Sequence, residues 1–423
     1  MSCFLQPFSL FKTSNRHQVL RSYFWRKKLY SSSTDTKYVV DVPVSTSLRA
    51  SIDISLLRKQ LETGTVLFDF PQFSYFRITG SDRLSFIHNM SSNHFLNSHP
   101  FQVRWTCFLT STGRILDVAL VAVLQDSLFV VSSIEKKQKL WEHFDRHIFP
   151  MDNVSVKEEN YASFVWIGKH AREWVEDWCY ERGMIGNQEP LKVFDDTHQP
   201  IYLVELSTLE PKWSGYLLLC STQDIDRVQA SIENFQNKGF LLFHMDKEHW
   251  ECLRIEMGKG NVLKEWSEEY HPLQAGLWHM VSFQKGCYLG QETILRLKTY
   301  GGIKKYLVGW FLESPVEPFS YVYCQEKRIG IITSCQVIEK TTQLQDTIVI
   351  GLGYLQRDYI PSQYLIDESL EKIVSQPPQL PWDSTPFFCT ASRQVSTPVK
   401  CIVRKIAFPV WQDNERANDE TNK

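Results

Sequence analysis

Residues 284–292 read QKGCYLGQE and place a cysteine among glycines beside a lysine. Cys287 follows Lys285 by two positions and lies between Gly286 and Gly290. Glycine permits close approach of the backbone, and a nearby ammonium favours the thiolate form of a cysteine. These surroundings suit a reactive thiol, a cluster ligand or a persulfide carrier. A buried loop cysteine would also fit, so the residues alone leave both interpretations open.

The other nine of the ten cysteines lie in no comparable context. No two cysteines form a Cys-x-x-Cys pair and no histidines cluster beside them, which argues against a zinc site. Their scatter through so long a chain is typical of a reducing compartment rather than a disulfide framework. His88, His94 and His99 have spacings that place no two on one helix face, so we expect loop or surface histidines. The sequence therefore predicts no resident metal site.

Composition limits the class of protein. The chain has 423 residues, of which 43% are hydrophobic and 22% charged, the balance of a soluble globular protein. No apolar run is long enough for a membrane-spanning helix. This length favours two or three domains. The formal net charge of −2 gives no reason to expect nucleic acid as a partner.

The first 34 residues differ from the rest. Residues 1–34 contain six of the 46 basic residues, nine Ser or Thr and no acidic residue. Interleaved Phe and Leu complete the composition of a mitochondrial transit peptide, and a basic tail that binds acidic surfaces is the alternative. Without this segment 40 basic residues face 48 acidic ones, a net charge of −8. We expect an acidic protein of the mitochondrial matrix.

Two secondary-structure patterns divide the remaining chain. From about residue 65 to 300, strands such as 115–124 and 127–133 alternate with helices, and this order recurs. Beyond residue 303 the helical period ends. The β-prone runs there are 306–312, 320–324, 328–335, 347–354 and 401–410. The sequence thus predicts an α+β fold with antiparallel sheets and a C-terminal all-β barrel.

Three regions follow from these patterns. Residues 1–34 form the transit peptide, and residues 35–303 form an α+β domain of two subdomains. Residues 304–423 form the barrel domain, in which the stretch 361–398 is rich in Pro, Ser and Gln and is expected to be a long loop.

The cysteine motif resembles the signature of a known family. Residues 285–292 match K-G-C-Y-x-G-Q-E and are followed by an Arg and then a Gly at the expected distances. This is similar to the YgfZ-type proteins, relatives of the folate-dependent glycine cleavage T-protein (GcvT). The motif positions besides Lys285 and Cys287 are Gly286, Tyr288, Gly290, Gln291, Glu292 and Arg296.

Further segments carry the same resemblance. Gly80–Asp82 with Phe86 and Ile87 looks like the family's opening segment, and Leu109–Asp117 looks like the second. Arg254–Gly258 resembles the element before the cysteine motif, and 403–409 the closing strand of the T-protein barrel. Residues 65–310 are covered best. The resemblance implies a T-protein-like fold with a folate-binding type of domain.

The resemblance also implies a function. A YgfZ-type protein with a mitochondrial leader resembles the matrix factor that acts late in iron–sulfur cluster assembly. Its partners would be A-type carrier proteins, and its clients 4Fe–4S enzymes such as aconitase and lipoyl synthase. Cys287, supported by Lys285, would be the functional thiol, either a transient cluster ligand or a redox-protecting group. One cysteine cannot supply four ligands, so a partner would supply the others. This implies an assembly factor rather than an enzyme.

The T-protein side of the resemblance implies an alternative, a tetrahydrofolate-dependent aminomethyltransferase. Asp117 and Glu256 stand where that family has its folate-site carboxylates, and Arg254 opens the second of these segments. A solvent-facing strand residue and an exposed helix charge are the simpler interpretations of the two acids. The segment 272–278 departs from the YgfZ pattern because it lacks the expected Glu and Asn. A scaffold that uses the fold without either activity is the third possibility.

Overall fold

Two β-sheets that face each other, and a closed β-barrel beside them, form the framework of the molecule. The computed structural model describes residues 54–68, 73–181, 190–194, 200–206, 213–237, 241–324, 327–340, 347–360, 387–390 and 399–404. The predicted transit peptide at 1–34 lies outside these residues. No helix among them is long and apolar enough to cross a membrane.

The helices lie almost entirely in the first two-thirds of the chain. They are α1 Ile54–Thr63, α2 Arg83–Met90, α3 Lys137–Arg146, α4 Ala171–Glu181, α5 Ile225–Asn237, α6 Lys247–Glu256 and α7 Gln291–Thr299. Single 3-10 turns occur at Ile134–Lys136, Trp278–Met280 and Arg357–Tyr359.

The strands fall into three groups. The first eleven are β1 Thr65–Phe68, β2 Phe73–Thr79, β3 Val103–Leu109, β4 Ile115–Val123, β5 Ser127–Ser133, β6 Ser155–Glu159, β7 Ala162–Gly168, β8 Leu191–Phe194, β9 Ile201–Glu205, β10 Ser214–Cys220 and β11 Leu242–Met245. The barrel strands are β12 Lys305–Leu312, β13 Ser320–Cys324, β14 Lys327–Lys340, β15 Thr347–Gln356, β16 Phe387–Thr390 and β17 Val399–Arg404.

A five-stranded antiparallel sheet has the order β3-β4-β5-β2-β6. Its outer face packs on α2 and α3 through rings such as Phe76, Phe108 and Phe144. All nine positions of β4 are buried, because helices cover one face and the second sheet covers the other. A strand that is covered on both faces has a nearly continuous apolar sequence instead of an alternating one.

A six-stranded sheet has the order β11-β1-β7-β10-β9-β8. Its pairs are antiparallel except for β1 with β11, which run parallel. Helices α4 and α5 cover its outer face, where Trp166, Trp174 and Trp178 are fully buried. The two α+β subdomains and their antiparallel sheets confirm the predicted fold class, and the parallel pair is the one departure.

The inner faces of the two sheets share one core. Phe129 of β5 stacks on Tyr202 of β9, with ring centroids 5.1 Å apart. Arg77 of β2 lies over both rings and forms an ion pair with Glu159. Its guanidinium also donates to the Tyr202 hydroxyl at 2.9 Å, so this half-buried charge has its partners.

The barrel closes in the order β12-β15-β14-β13-β16-β17 and confirms the predicted all-β C-terminal region. Strand β16 lies within the stretch 361–398, so the predicted long loop is wrong at Phe387–Thr390. These residues pair with β13 and β17 and complete the barrel wall. The rest of that stretch lies outside the described residues.

Residues 257–290, here called the connecting segment, join α6 to α7 and contain only one 3-10 turn. Glu265 in this segment is 0% exposed and pairs with Arg254 of α6 at 3.2 Å. The same carboxylate accepts hydrogen bonds from Thr333 and Ser334 of the barrel strand β14. The ion pair thus ties the α+β region to the barrel.

An aromatic contact strengthens this junction. Tyr270 of the connecting segment stacks on Tyr354 of β15, with ring centroids 3.6 Å apart. The Tyr354 hydroxyl donates to the backbone oxygen of Glu265 at 2.6 Å. The amide of Leu307 donates to Gln274, so strand β12 is bound to the segment as well. The connecting segment is therefore fixed against the barrel between Glu265 and Gln274.

Candidate functional site

The cysteine motif forms the last turn of the connecting segment and the first turn of α7. Gly290 precedes the helix with φ +81°, the left-handed region that favours glycine. A Cβ at Gly290 would lie 2.6 Å from the carbonyl oxygen of Thr110 and 2.7 Å from the Cα of Gly113. Two backbone turns thus touch directly, and the glycine of the motif makes that approach possible.

The side chain of Lys285 anchors the motif to the end of α2. Its ammonium donates to the backbone oxygens of His88, Ser91 and Asn93, the last two at 2.7 Å. These carbonyls lie at and beyond the C-terminus of α2, where a cation is favourable. Lys285 is 7% exposed. All three ammonium protons are donated to carbonyl oxygens, so the structure gives Lys285 an anchoring role. That Lys285 favours the thiolate form of Cys287 stays a prediction.

Backbone contacts run beside this anchor. The amide of Ser282 donates to Ser92 O at 2.9 Å, and the amide of Leu289 donates to Asn89 O at 3.3 Å. The Ser92 hydroxyl donates to Met280 O at 2.6 Å. The residues just before the motif are therefore bound to the segment after α2, and Leu289 within the motif is bound to the last turn of α2.

Cys287 itself is exposed. The other seven cysteines whose side chains are described are buried or half-buried. Gly286 has open space where a side chain would project. The described loop thus presents a solvent-accessible thiol on a backbone that is held on both sides.

Two further motif residues, Tyr288 and Gln291, lie against the loop. The ring of Tyr288 is buried beneath the Lys285 ammonium, which lies 4.7 Å from its centroid. Burial raises the pKa of the Tyr288 hydroxyl, and that hydroxyl has no hydrogen-bond partner in the described part of the chain. Gln291 donates to Lys285 O at 3.3 Å. These residues shape the loop from within.

The remaining motif residues lie outside. Glu292 and Arg296 form an ion pair at 2.9 Å on the surface of α7, with side chains 87% and 69% exposed. An exposed pair of this kind contributes at most about 0.5 kcal/mol to stability. Their positions in the motif therefore have little structural purpose within this chain.

Two positions that the sequence did not single out support the loop. His271 is buried, and its Nδ1 lies 2.7 Å from the carbonyl oxygen of Gly113, the glycine against which Gly290 packs. Gln274 accepts a hydrogen bond from the amide of His271 at 3.1 Å. Burial lowers the pKa of His271, which favours the neutral ring. A lone histidine beside a proline gives no sequence signal for this role.

The histidines nearer the motif need one correction. His88 was expected in a loop or on the surface, but it is buried in α2 and its Nδ1 accepts the amide of Phe95. Its ring lies 4.7 Å from that of His94. Among the described residues no group of three His, Cys, Asp or Glu side chains could hold a metal ion.

Asp117 lies on β4 and is 0% exposed. It is therefore neither a solvent-facing strand residue nor part of an open ligand site. It pairs with Phe108, whose ring packs under α3, and therefore faces the helices. The hydroxyls of Ser132 and Ser133 and the amides of Val118 and Ser133 all donate to its two oxygens. Burial outweighs these donors and raises the pKa of Asp117 to about 6.

Arg254 is equally occupied. Its guanidinium binds Glu251, Glu265, the backbone oxygen of Lys259 and the hydroxyl of Ser334. It is 3% exposed and belongs to the junction with the barrel. Such a network is costly to disrupt, because removal of one partner leaves a buried charge.

Glu256 ends α6 and binds Arg58 of α1 through one oxygen. Its Oε2 is buried without a hydrogen-bond partner among the described residues. Arg404 of β17 donates to the backbone oxygens of Ile255 and Glu256, and burial lowers its pKa to about 10. Glu256 is thus partly occupied rather than a freely exposed helix charge.

The three residues predicted to bind folate do not form one ligand set. No hydrogen bond or ion pair among the described residues joins Asp117 to Arg254 or Glu256. Asp117 and Arg254 have no hydrogen-bonding atom left for a ligand, and only Glu256 has a free oxygen. These residues do not fit a shared folate site, and we derive no reaction step through them.

Comparison with known proteins gives one family. Residues 58–198 match the model of the GCVT N-terminal domain. A candidate transferase of the Arabidopsis thaliana chloroplast is 30% identical over 326 residues, which is 75% of this chain and 72% of that protein. The aminomethyltransferase of Halothermothrix orenii is 23% identical over 69% of this chain and 80% of its own.

A solved structure agrees on the fold. The glycine cleavage system aminomethyltransferase T from Bartonella henselae superposes with a TM-score of 0.62, covering 84% of this chain and 89% of its own. Its identity is 15%, so this likeness concerns the fold alone.

We predict that Asp117 makes stability depend on pH. Its folded pKa of about 6 lies above the unfolded value of 3.8. The protonated form therefore stabilises the fold at low pH, and this contribution is lost as pH rises through 6. Relative to Asp117→Asn, wild type should lose about 2 kcal/mol of unfolding free energy between pH 4.5 and 7.5. Urea unfolding of both proteins at both pH values measures this, and a constant difference would contradict it.

We predict that Lys285 carries much of the stability of the motif loop. Lys285→Met leaves three carbonyl oxygens without their donor and should lower the unfolding free energy by about 3 kcal/mol. Arg296→Met removes only an exposed ion pair and should cost under about 0.5 kcal/mol. Chemical unfolding gives both values, and hydrogen exchange at Ser282 and Leu289 locates the change. Equal effects of the two substitutions would refute the anchoring role.

Proposed function

Because the chain belongs to the GcvT-like family of folate-binding-fold proteins, we propose that it is a YgfZ-type member acting late in iron–sulfur cluster assembly, with Cys287 as its working thiol. The observation that carries the proposal is the exposure of Cys287 on a loop that Lys285 and Gly290 hold in place. Most other described cysteines are buried and packed in cores.

The chemistry follows from this arrangement. A thiolate is the usual protein ligand of an iron–sulfur cluster, and an exposed one can share a cluster with another protein. A single thiol gives one of four ligands, so the cluster would be shared with a partner protein that supplies the other ligands. A loop held rigidly before the partner arrives loses little entropy on binding. The cluster is thus cargo in this proposal.

The partners proposed for this role are A-type carrier proteins, and the clients are 4Fe–4S enzymes of the aconitase and lipoyl synthase types. Glu292 and Arg296 lie exposed on α7, four residues apart, in the helix that follows the cysteine loop. Since they contribute little to folding, we assign them to contact with such a partner.

The compartment proposed is the mitochondrial matrix. The basic, acid-free composition of residues 1–34 supports import into an organelle. The Arabidopsis thaliana relative is a chloroplastic protein, which fits an organellar member of the family.

A transferase that uses tetrahydrofolate is the second candidate. The fold of the Bartonella henselae aminomethyltransferase and the unpartnered Oε2 of Glu256 favour it. The occupied atoms of Asp117 and Arg254 argue against it. The assembly role therefore accounts for more of the described residues.

We predict that Cys287→Ala abolishes the cellular role without unfolding the protein, because the side chain is exposed. In cells that depend on this protein, aconitase activity and protein lipoylation should both fall toward the level of a deletion. Cys324→Ala changes a half-buried barrel cysteine and serves as the matched control. Unchanged aconitase activity and lipoylation in the Cys287 variant would remove the role assigned to the thiol.

Calorimetric titration of the full chain with tetrahydrofolate separates the two candidates. The transferase candidate requires saturable heat that Glu256→Gln weakens by about tenfold, the loss of one charged hydrogen bond. We expect no heat of that kind, because the atoms of Asp117 and Arg254 are already paired. Saturable binding lost in Glu256→Gln would favour the transferase.

A further inference from the structure

One end of the barrel carries a group of basic side chains, here called the basic end. Its members are Arg114, Lys304, Lys305, Arg328 and Arg357. Lys304, Arg328 and Arg357 are exposed, and the other two are half-buried. Four come from the barrel or its border, whereas Arg114 belongs to the turn between β3 and β4.

Strand register brings these residues together. Lys305 of β12 pairs with Gln356 of β15, and the amide of Arg357 donates to Lys304 O at 2.9 Å. On the other side of β15 the Gln356 side chain donates to Arg328 O at 3.2 Å. Neighbouring strands lie about 4.8 Å apart, so Lys304, Arg357 and Arg328 form a row across three strands. Like charges in such a row repel one another.

The connecting segment brings the fifth cation to this row. Arg114 donates to the backbone oxygen of Glu269, next to Tyr270. The Lys305 ammonium lies 4.5 Å from the Tyr270 ring centroid. Burial lowers the pKa of Lys305, the charge of Arg114 lowers it further, the charge of Glu269 raises it, and the charge of Arg328 lowers it again. Lys305 thus experiences the charges of both arginines and of Glu269.

No carboxylate side chain of the described residues pairs with any of these five cations. Glu269 and Asp358 lie in the same region, but neither forms an ion pair with them. Elsewhere in the protein, cations such as Arg77, Lys139 and Arg254 do have carboxylate partners. A row of exposed cations without carboxylate partners creates a positive local potential, which attracts an anionic partner.

The basic end also borders the cysteine motif. Arg114 follows Gly113, whose backbone touches Gly290. Lys304 follows the glycine pair that ends α7, the helix that begins just after the cysteine loop. A partner that bound the basic end would therefore lie against the helix and turn that carry the motif.

We propose that the basic end is a docking surface for an acidic partner protein. The row is exposed and extends across three strands, a shape that suits a protein surface better than a small anion. The net charge of −8 for residues 35–423 repels a uniformly charged polyanion such as nucleic acid beyond the row, whereas a protein can confine its acidic groups to the contact. Carboxylates that meet guanidinium groups form paired hydrogen bonds, which fix the orientation of the partner. In the proposed assembly role, this surface would guide an acidic carrier protein to Cys287. Only this last step rests on the proposed function.

The test uses a fluorescent oligoglutamate peptide as the probe and the full chain as the binder. Anisotropy titrations compare wild type with the double reversal Arg328→Glu and Arg357→Glu. The matched control reverses Lys169 and Lys247, which are exposed and lie far from the barrel end in sequence. Parallel titrations use vesicles with anionic lipid and duplex DNA. Thermal unfolding of each variant checks the fold.

We expect the peptide to bind wild type and the control alike, and the reversal at the basic end to weaken binding at least about tenfold, with affinity falling as salt rises. Arg328→Gln with Arg357→Gln gives an intermediate loss and serves if the reversal disturbs folding. Equal weakening by the control reversal would overturn the proposal, as would tighter binding to vesicles or DNA that depends on the same arginines. None of these outcomes depends on whether the protein assembles clusters.

Discussion

The connecting segment is the constraint on which the rest of the structure depends. Residues 257–290 run between two folded regions with almost no regular secondary structure, yet many of them are buried. A buried backbone without helices or strands must find partners for its polar groups elsewhere. Its backbone groups pair with those of Ser92, Ile115 and Leu307. Three of its side chains add contacts of their own: Glu265 toward the barrel, His271 toward Gly113, and Lys285 toward the end of α2.

A continuous series of these contacts connects the barrel to the loop that contains Cys287. Glu265 and Tyr270 fix the segment to β14 and β15, His271 then holds the Gly113 turn, and Gly290 packs against that turn. The result is a loop whose backbone is bound while its cysteine side chain remains open to solvent. Buried charges such as Glu265 add little net stability when paired, but they impose one arrangement because alternatives leave them unpaired. The presentation of Cys287 is thus a property of the whole junction.

The sequence predicted the parts of this account that depend on local pattern. The hairpin of β4 and β5, the helices after it and most barrel strands follow from periodicity and turn residues. The parallel pairing of β1 with β11 could not be predicted, since each strand has four residues and they are far apart in the chain. The strand at Phe387–Thr390 was missed because it is short and lies among Pro and Ser.

Side-chain direction was the other limit. The spacing of Lys285 and Cys287 predicted a neighbouring ammonium, but spacing cannot show that the ammonium turns inward to three carbonyls. Asp117 lies in a strand buried on both faces, so alternation gave no sign of its environment. The basic end depends on the register between strands that are distant in sequence. The overall composition gives only a total charge and cannot show such a local cluster.

The most direct test of the account is the order in which the cysteines of the native full chain react with iodoacetamide. Mass spectrometry of briefly treated protein gives the labelled fraction at each position. The account predicts that Cys287 is labelled first and that buried Cys107 and Cys252 are labelled only after unfolding. Protection of Cys287 in the native protein, or labelling no faster than that of Cys107, would contradict it.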